Sequence, residues 1–355
     1  MNHLIPPPEN LPVSWGWLKV LLMIVFPLHL LFMNAMLGSV IIAIYSGLRN
    51  DETSRDLSRR LAGIIPIIIA FAINLGVASL LFIQVLYGRF FYVSSILMAV
   101  SWLAVIPLLM TAYYLMYLYD FRFPSLGGKG VIAATAAFLI FLFIAFVYSN
   151  NMTLMLAPDA WQVYFANRQG TILNLAEPTL WPRYLHFTIG GTAIGSLFVA
   201  LYGKYLVKRG TRAGEAAVAV GMKIFTVLTL VQVVGGLWFL QSIPDTVRRV
   251  FIGVDPFSTT LFLVGVMLAL AAIMAAAVRN VYLTATIAIP LVYVMTFIRD
   301  RVRSAYLQPY YSPEKITALP QYLPMVLFFS ILVAGATVIA WMLIKCARFC
   351  ERKGV

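Results

Sequence analysis

Long apolar runs alternate with short polar stretches along this chain, and each run has the length of a membrane-crossing helix. About 20 helical residues cover a hydrocarbon core of about 30 Å. Runs of that size lie at 17–47, 61–87, 93–118, 131–149, 184–207, 217–241, 257–277, 280–298 and 323–344. The pattern predicts an all-α membrane protein of about nine transmembrane helices. It divides the chain into an extracytoplasmic N-terminal arm over 1–16, a helical bundle over 17–345 and a basic cytoplasmic tail over 346–355. The pair of runs on either side of Arg279 is where one re-entrant segment would change the count.

Composition agrees with the pattern. The 355 residues are 62% hydrophobic and 11% charged, which leaves too few polar side chains to keep a globular surface wet. A net charge of +13 would suggest nucleic acid in a soluble domain. Here the positive residues sit in short loops, where they set orientation and meet anionic lipid, and no nucleic-acid partner is expected. With the N-terminus outside, the inner loops hold 15 Lys and Arg and the outer loops 9, with Lys19 and Lys223 inside spans. The asymmetry predicts an outer N-terminus and a cytoplasmic C-terminus.

The polar stretches add two further expectations. Pro158–Phe165 reads as a short helix lying flat at the interface with its aromatics down, and 299–322, rich in Tyr, Pro and Arg, reads as an outer loop able to dock an extracytoplasmic partner. Cys346 and Cys350 make no zinc site, iron–sulfur set or haem c attachment sequence, and are expected as a reduced cytoplasmic pair. The first run is too long and starts too late for a cleaved signal peptide.

Candidate chemistry rests on histidine. There are three, and His3 lies in the arm, so His29 and His186 are the two inside spans. A polar ring in hydrocarbon is costly without a partner. Neutral imidazole can bind iron through one nitrogen and a backbone carbonyl through the other, so both are read as haem-iron ligands, with hydrogen-bonded packing as the alternative. His29 is followed by Met33 and Met36 with no acid to pair with. His186 is followed by Gly190 one turn on and by Gly191 and Gly195, small residues that admit a helix or a flat macrocycle. Arg183, three residues before His186, shares its side of the helix and suits a haem propionate, with an interfacial charge bound to lipid as the alternative. The thirteen acids all fall in tails, loops or span ends, so the proton relay that dioxygen reduction needs is missing.

Three segments carry a family resemblance. His29 to Gly38 (HLLFMNAMLG) resembles the first-span motif of subunit I of cytochrome bd quinol oxidases, Ile73 to Ser79 (INLGVAS) with Tyr87-Gly88 is similar to the second, and Arg183-Tyr-Leu-His186 to the fifth. The likeness covers roughly 20–240. It implies a bd subunit I-like bundle in a bacterial or archaeal cytoplasmic membrane, with His186 on a low-spin haem b and His29 in the high-spin pair where dioxygen is reduced. It also implies a second membrane subunit and a seventh-span methionine opposite His186, for which Met267 is the candidate. Opposite His29 stand Met295 or an open position, and a single haem shared by His29 and His186 is a third arrangement.

Departures from the family matter as much. Gln84 stands where the family has a second-span glutamate, Leu108 near its third-span glutamate, and 289–297 is uncharged where an eighth-span glutamate ligand would lie. The stretch from Ser242 to Pro256, about 15 residues, is too short for the family's quinol loop. The expected function is therefore a membrane cytochrome b with one or two haem b groups. It passes electrons between quinone or quinol and an outer-side cytochrome c or iron–sulfur subunit. A divergent quinol oxidase and a non-redox transporter or assembly subunit are the competing readings.

Overall fold

The computed structural model describes residues 4–7, 9–123 and 130–353. Nine helices among them are long and apolar enough to cross a membrane, making this a multi-pass, all-α membrane protein. They are α1 (Trp15–Gly47), α2 (Glu52–Leu97), α3 (Ala99–Phe121), α4 (Gly130–Leu156), α5 (Leu180–Lys208), α6 (Arg212–Ser242), α7 (Pro256–Ala277), α8 (Val281–Leu307) and α9 (Tyr322–Lys353). Helix is the form that satisfies every backbone group within its own segment in lipid, and four helices carry an internal proline: Pro27, Pro66, Pro107 and Pro290. Side chains close several starts. The Asp51 carboxylate accepts from the Ser54 amide at 2.8 Å and the Asn280 side-chain Oδ1 from the Leu283 amide at 3.0 Å. Arg279 takes a left-handed conformation (φ 54°) between α7 and α8, so the chain reverses there and the two runs form two separate helices.

Three boundaries differ from the sequence reading. First, α2 runs 46 residues, through the second predicted span and into the third, bending at Tyr87 (φ −132°, ψ 24°). No proline marks that bend. The Tyr311 hydroxyl, from the connector before α9, donates to the Leu86 carbonyl beside it. Second, α8 continues to Leu307, so Arg299, Asp300, Arg301 and Arg303 lie on a helix and not in an outer loop. Asp300 is only 6% exposed, which corrects the expectation that every acid sits in tails, loops or span ends. Polarity misled in both respects because those charges are held inside the bundle. Third, residues 245–254 form two short helical turns, Asp245–Arg249 and Val250–Val254.

Pro158–Phe165 is a 3-10 helix. Its Trp161 is buried and donates from Nε1 to the Leu154 carbonyl at 2.8 Å, while Val163, Tyr164 and Phe165 are exposed. The connector to α9 is pinned to the arm by backbone bonds from Leu11 N to Thr317 O (3.2 Å) and Leu319 N to Leu11 O (2.8 Å), whereas α9 itself stands with its apolar side chains exposed. Cys346 is a free, exposed thiol. The rest of the expected cysteine pair, the Cys350 side chain, lies outside the described residues, as does His3.

The main core lies among α1 to α6, and its tightest joint is between α1 and α5. A Cβ placed on Gly195 would fall 1.8 Å from the Asn34 carbonyl oxygen, and one on Gly38 would fall 2.0 Å from the Gly195 backbone carbon. Only glycine permits backbones this close. As the first and fifth crossings, α1 and α5 run in the same direction, and each carries its histidine nine residues before its crossing glycine. At 1.5 Å per residue both histidines sit about 13.5 Å from the crossing, on the same side of it.

Candidate functional site

The two histidines are presented alike but to different neighbours. His29 turns from α1 toward α2. Its Nδ1 lies 2.9 Å from the Ala72 carbonyl oxygen, and a carbonyl can only accept, so the proton is on Nδ1 and Nε2 keeps its lone pair. Gly76, one turn beyond Ala72, makes the room: a Cβ there would fall 2.8 Å from His29 Cε1. The ring of Phe26 lies 6.1 Å away, centroid to centroid.

His186 turns from α5 toward α6, where Gln232 Nε2 lies 2.8 Å from its Nδ1 and 2.7 Å from its own carbonyl oxygen. Glycines again provide the space. A Cβ on Gly236 would fall 3.3 Å from His186 Cε1, and one on Gly190 would fall 2.9 Å from Gln232 Nε2. Each helix thus offers one polar side chain and, four residues on, the glycine that accommodates its partner. Phe239 stacks on the imidazole at 5.9 Å.

Between them, toward the end of the bundle where α1 and α5 begin, lies a set of cations. Arg299 of α8 places its Cζ 4.5 Å from the Phe26 ring and 5.8 Å from Phe187, next to His186. Arg183, 2% exposed, lies 5.1 Å over Phe239, and Arg303, also 2% exposed, lies 4.8 Å over Tyr87. Lys19 bonds the Asp300 carboxylate at 2.5 Å and the Tyr87 hydroxyl at 3.0 Å, with Arg303 3.8 Å from the same carboxylate. Ring faces attract these cations but leave their in-plane N–H groups unused. Nε and Nη2 of Arg183, Nε and Nη1 of Arg299, and Nε and Nη1 of Arg303 are buried with no hydrogen-bond partner. Among the described residues neither Arg183 nor Arg299 has a carboxylate at ion-pair distance, and Asp300 is the one buried acid. Orphaned, buried guanidinium donors are expensive, and carboxylates would satisfy them bidentately.

Of the residues singled out in the sequence, His29, His186 and Arg183 fall at this site. Met295 is half-buried and packs at Gly265 of α7, where a Cβ would meet its Cε at 3.2 Å. Met267 is 68% exposed, so its expected place as an axial ligand finds no support in its position. The one sequence signal for Gln232 is its spacing to Gly236, which repeats that of His186 to Gly190. Lys19, Arg299, Asp300 and Arg303 do not read as a group in the sequence, because the hydropathy pattern places the first inside a span and the other three in a loop. No three His, Cys, Asp or Glu side chains converge on a common point among the described residues, whereas one imidazole suffices to hold a haem iron.

The fold and site define a multi-pass helical bundle with two imidazoles and a cationic cluster buried toward one end. A search of solved structures finds the same bundle in the bd oxidase from Geobacillus thermodenitrificans: the two chains superpose with a TM-score of 0.70 over 95% of this chain and 100% of that one, at 11% sequence identity. At that identity the likeness is one of fold. No family model and no curated protein matches the sequence.

Proposed function

We propose that the chain is a membrane cytochrome b that passes electrons between the quinone pool and a redox partner at the outer surface, holding one haem b at His29 and another at His186. The observation that carries this reading is the association of two glycine-cradled imidazoles with three arginines whose buried donors lack acceptors. Haem b fits that donor set, because it needs an imidazole for iron and brings two carboxylates on its edge. When bound, it supplies a one-electron couple.

The residues divide the work. His29 Nε2 offers a free lone pair, with the Ala72 carbonyl fixing the tautomer from behind. Arg299, between Phe26 and Phe187, and Arg183, beside Phe239, are the partners for propionates. Because His29 faces α2 and His186 faces α6, separate haems suit the geometry better than one shared haem. The one buried carboxylate among the described residues, Asp300, is held by Lys19 and Arg303 and is not free to relay protons, which favours electron transfer over dioxygen reduction.

Loop charge supports the N-terminus outside, and moving Arg299, Arg301 and Arg303 onto α8 takes three positive charges from the outer count and strengthens it. The outer face would then include the loop 157–179, the segment 243–255 and the connector 308–321, where a multihaem cytochrome c or an iron–sulfur protein would dock. The test is a reduced-minus-oxidised spectrum with extracted-haem quantification on the purified protein. A haem b spectrum with about two haems per chain is expected, given one haem at each of two imidazoles. A folded protein with no haem overturns the reading.

A further inference from the structure

The partner of His186 differs in kind from that of His29. Ala72 presents a carbonyl, which can only accept, whereas Gln232 presents an amide with a donor at one corner and an acceptor at the other. In this structure Nε2 of Gln232 serves both the His186 carbonyl and Nδ1, so Nδ1 accepts and the ring proton is on Nε2. That leaves the imidazole without a lone pair for iron on its outer nitrogen. At the same time Oε1 of Gln232 is buried with no partner. Turning the amide about its last torsion would exchange the two corners, and because Oε1 cannot take the place of Nε2 2.7 Å from the His186 carbonyl oxygen, the side chain must at the same time shift off that carbonyl toward Nδ1. Oε1 would then accept from Nδ1–H, and Nε2 of the imidazole would be freed as a ligand. Gly190 keeps space open around the amide and Gly236 around the ring.

We propose that Gln232 is the positioning residue for His186: its amide orientation selects the ring tautomer, and in the haem-bound form its oxygen accepts from Nδ1–H and sets how strongly the imidazole donates to iron. The inference rests on the reading of His186 as a haem ligand. An acceptor on the far nitrogen increases imidazole basicity and stabilises the oxidised metal. A carboxylate at this position should do so more strongly than the amide, and an apolar side chain of similar size should not do so at all.

The experiment is a spectroscopic redox titration of purified wild type, Gln232→Glu and Gln232→Leu, with haem per chain measured on the same samples. Retained haem is expected in Gln232→Glu, with one component displaced to a more negative potential. Gln232→Leu is expected to displace the same component to a more positive potential, with lower occupancy. A packing role would move both variants in one direction or neither. Unchanged potentials in both variants, or displacement of both in the same direction, would overturn the inference while leaving the haem reading intact. Should Gln232→Leu fold poorly, the direction of the Gln232→Glu displacement decides alone. Wild-type protein without haem would sink the underlying reading, and His186→Ala with an undiminished haem content would show that His186 is not a ligand.

Discussion

The His29 and His186 sites use the same construction and differ in one chemical respect. Both imidazoles leave a helix nine residues before a glycine crossing, both lie over a glycine of the next helix, and both have Nδ1 engaged. At His29 the engaging group is backbone, so the tautomer is imposed by the fold and no single side-chain substitution can reverse it. At His186 it is a side-chain amide, so the tautomer can be changed by reorienting one side chain or replacing one residue. The tolerances differ as well. The clearance behind His29 is 2.8 Å and that behind His186 is 3.3 Å, each measured to a Cβ on the facing glycine. The first site is built rigidly and the second adjustably.

The largest effect should come from breaking what the sites share. Gly195→Leu would drive a side chain into the Asn34 carbonyl, 1.8 Å from the Cβ position. Even modest overpacking costs about 1–3 kcal/mol, and here the obstacle is backbone. The expected result is loss of haem from both sites together with a large drop in thermal stability, read by absorbance and by a melting curve. Loss at one site alone would show that the crossing does not organise both.

Next is Lys19→Met, which removes the closest partner of buried Asp300. Stripping one member from a buried pair costs about 3–5 kcal/mol, and the remaining contact from Arg303 at 3.8 Å brings the expectation to about 3 kcal/mol. The double variant Lys19→Met with Asp300→Asn should recover much of that loss in the same melting assay. No recovery would mean that Lys19 acts through Tyr87 instead.

Smaller and more discriminating is the pair Gly76→Ala and Gly236→Ala. The first must displace the His29 ring and should cost about 1–3 kcal/mol with reduced haem retention. The second meets a contact that small adjustments can relieve, and the gain of about 0.5–1 kcal/mol from replacing a helical glycine by alanine offsets it, so little net change is expected. Equal effects on haem content would remove the distinction between a rigid and an adjustable site.

The smallest effect lies at the surface. Asp255 caps α7 through the Ser258 amide at 3.2 Å and binds Arg301 at 2.7 Å. The Ser258 hydroxyl and then Arg301 hold its carboxyl below the usual aspartate range. A carboxylate depressed on folding adds stability at pH values above its unfolded pKa, and that contribution disappears as pH falls through the lower folded value. Asp255→Asn should therefore lower the melting temperature slightly at pH 7 and leave it unaltered in strong acid. A loss that persists in acid would mean the cap acts through packing.

Much of this was legible in the sequence. Helix number followed from run length, because in lipid an apolar run of 20 residues has few other ways to satisfy its backbone. His29 and His186 stood out because a polar ring in such a run needs a reason. The pairing of His186 with Gln232 was hidden, since a lone glutamine in an apolar run has many explanations and its partner lies 46 residues away. The cation cluster was hidden for a different reason. Loop assignment treats charge as a sign of water, and α8 carries Arg299, Asp300 and Arg303 past that boundary into the bundle, where each is offset by an aromatic face or an opposite charge. Met267 shows the converse, because sequence position suggested a ligand and rotation about the helix axis put the thioether on the exposed surface.

Haem content resolved by site is the most direct measurement. Wild type, His29→Ala and His186→Ala would be purified in parallel, their reduced spectra titrated with potential, and their haem extracted and counted per chain. The two-site account predicts two components in wild type and the loss of a different one in each variant, with the other component holding its potential. If either substitution removes all haem from a protein that is still folded, or if neither removes any, the account is contradicted.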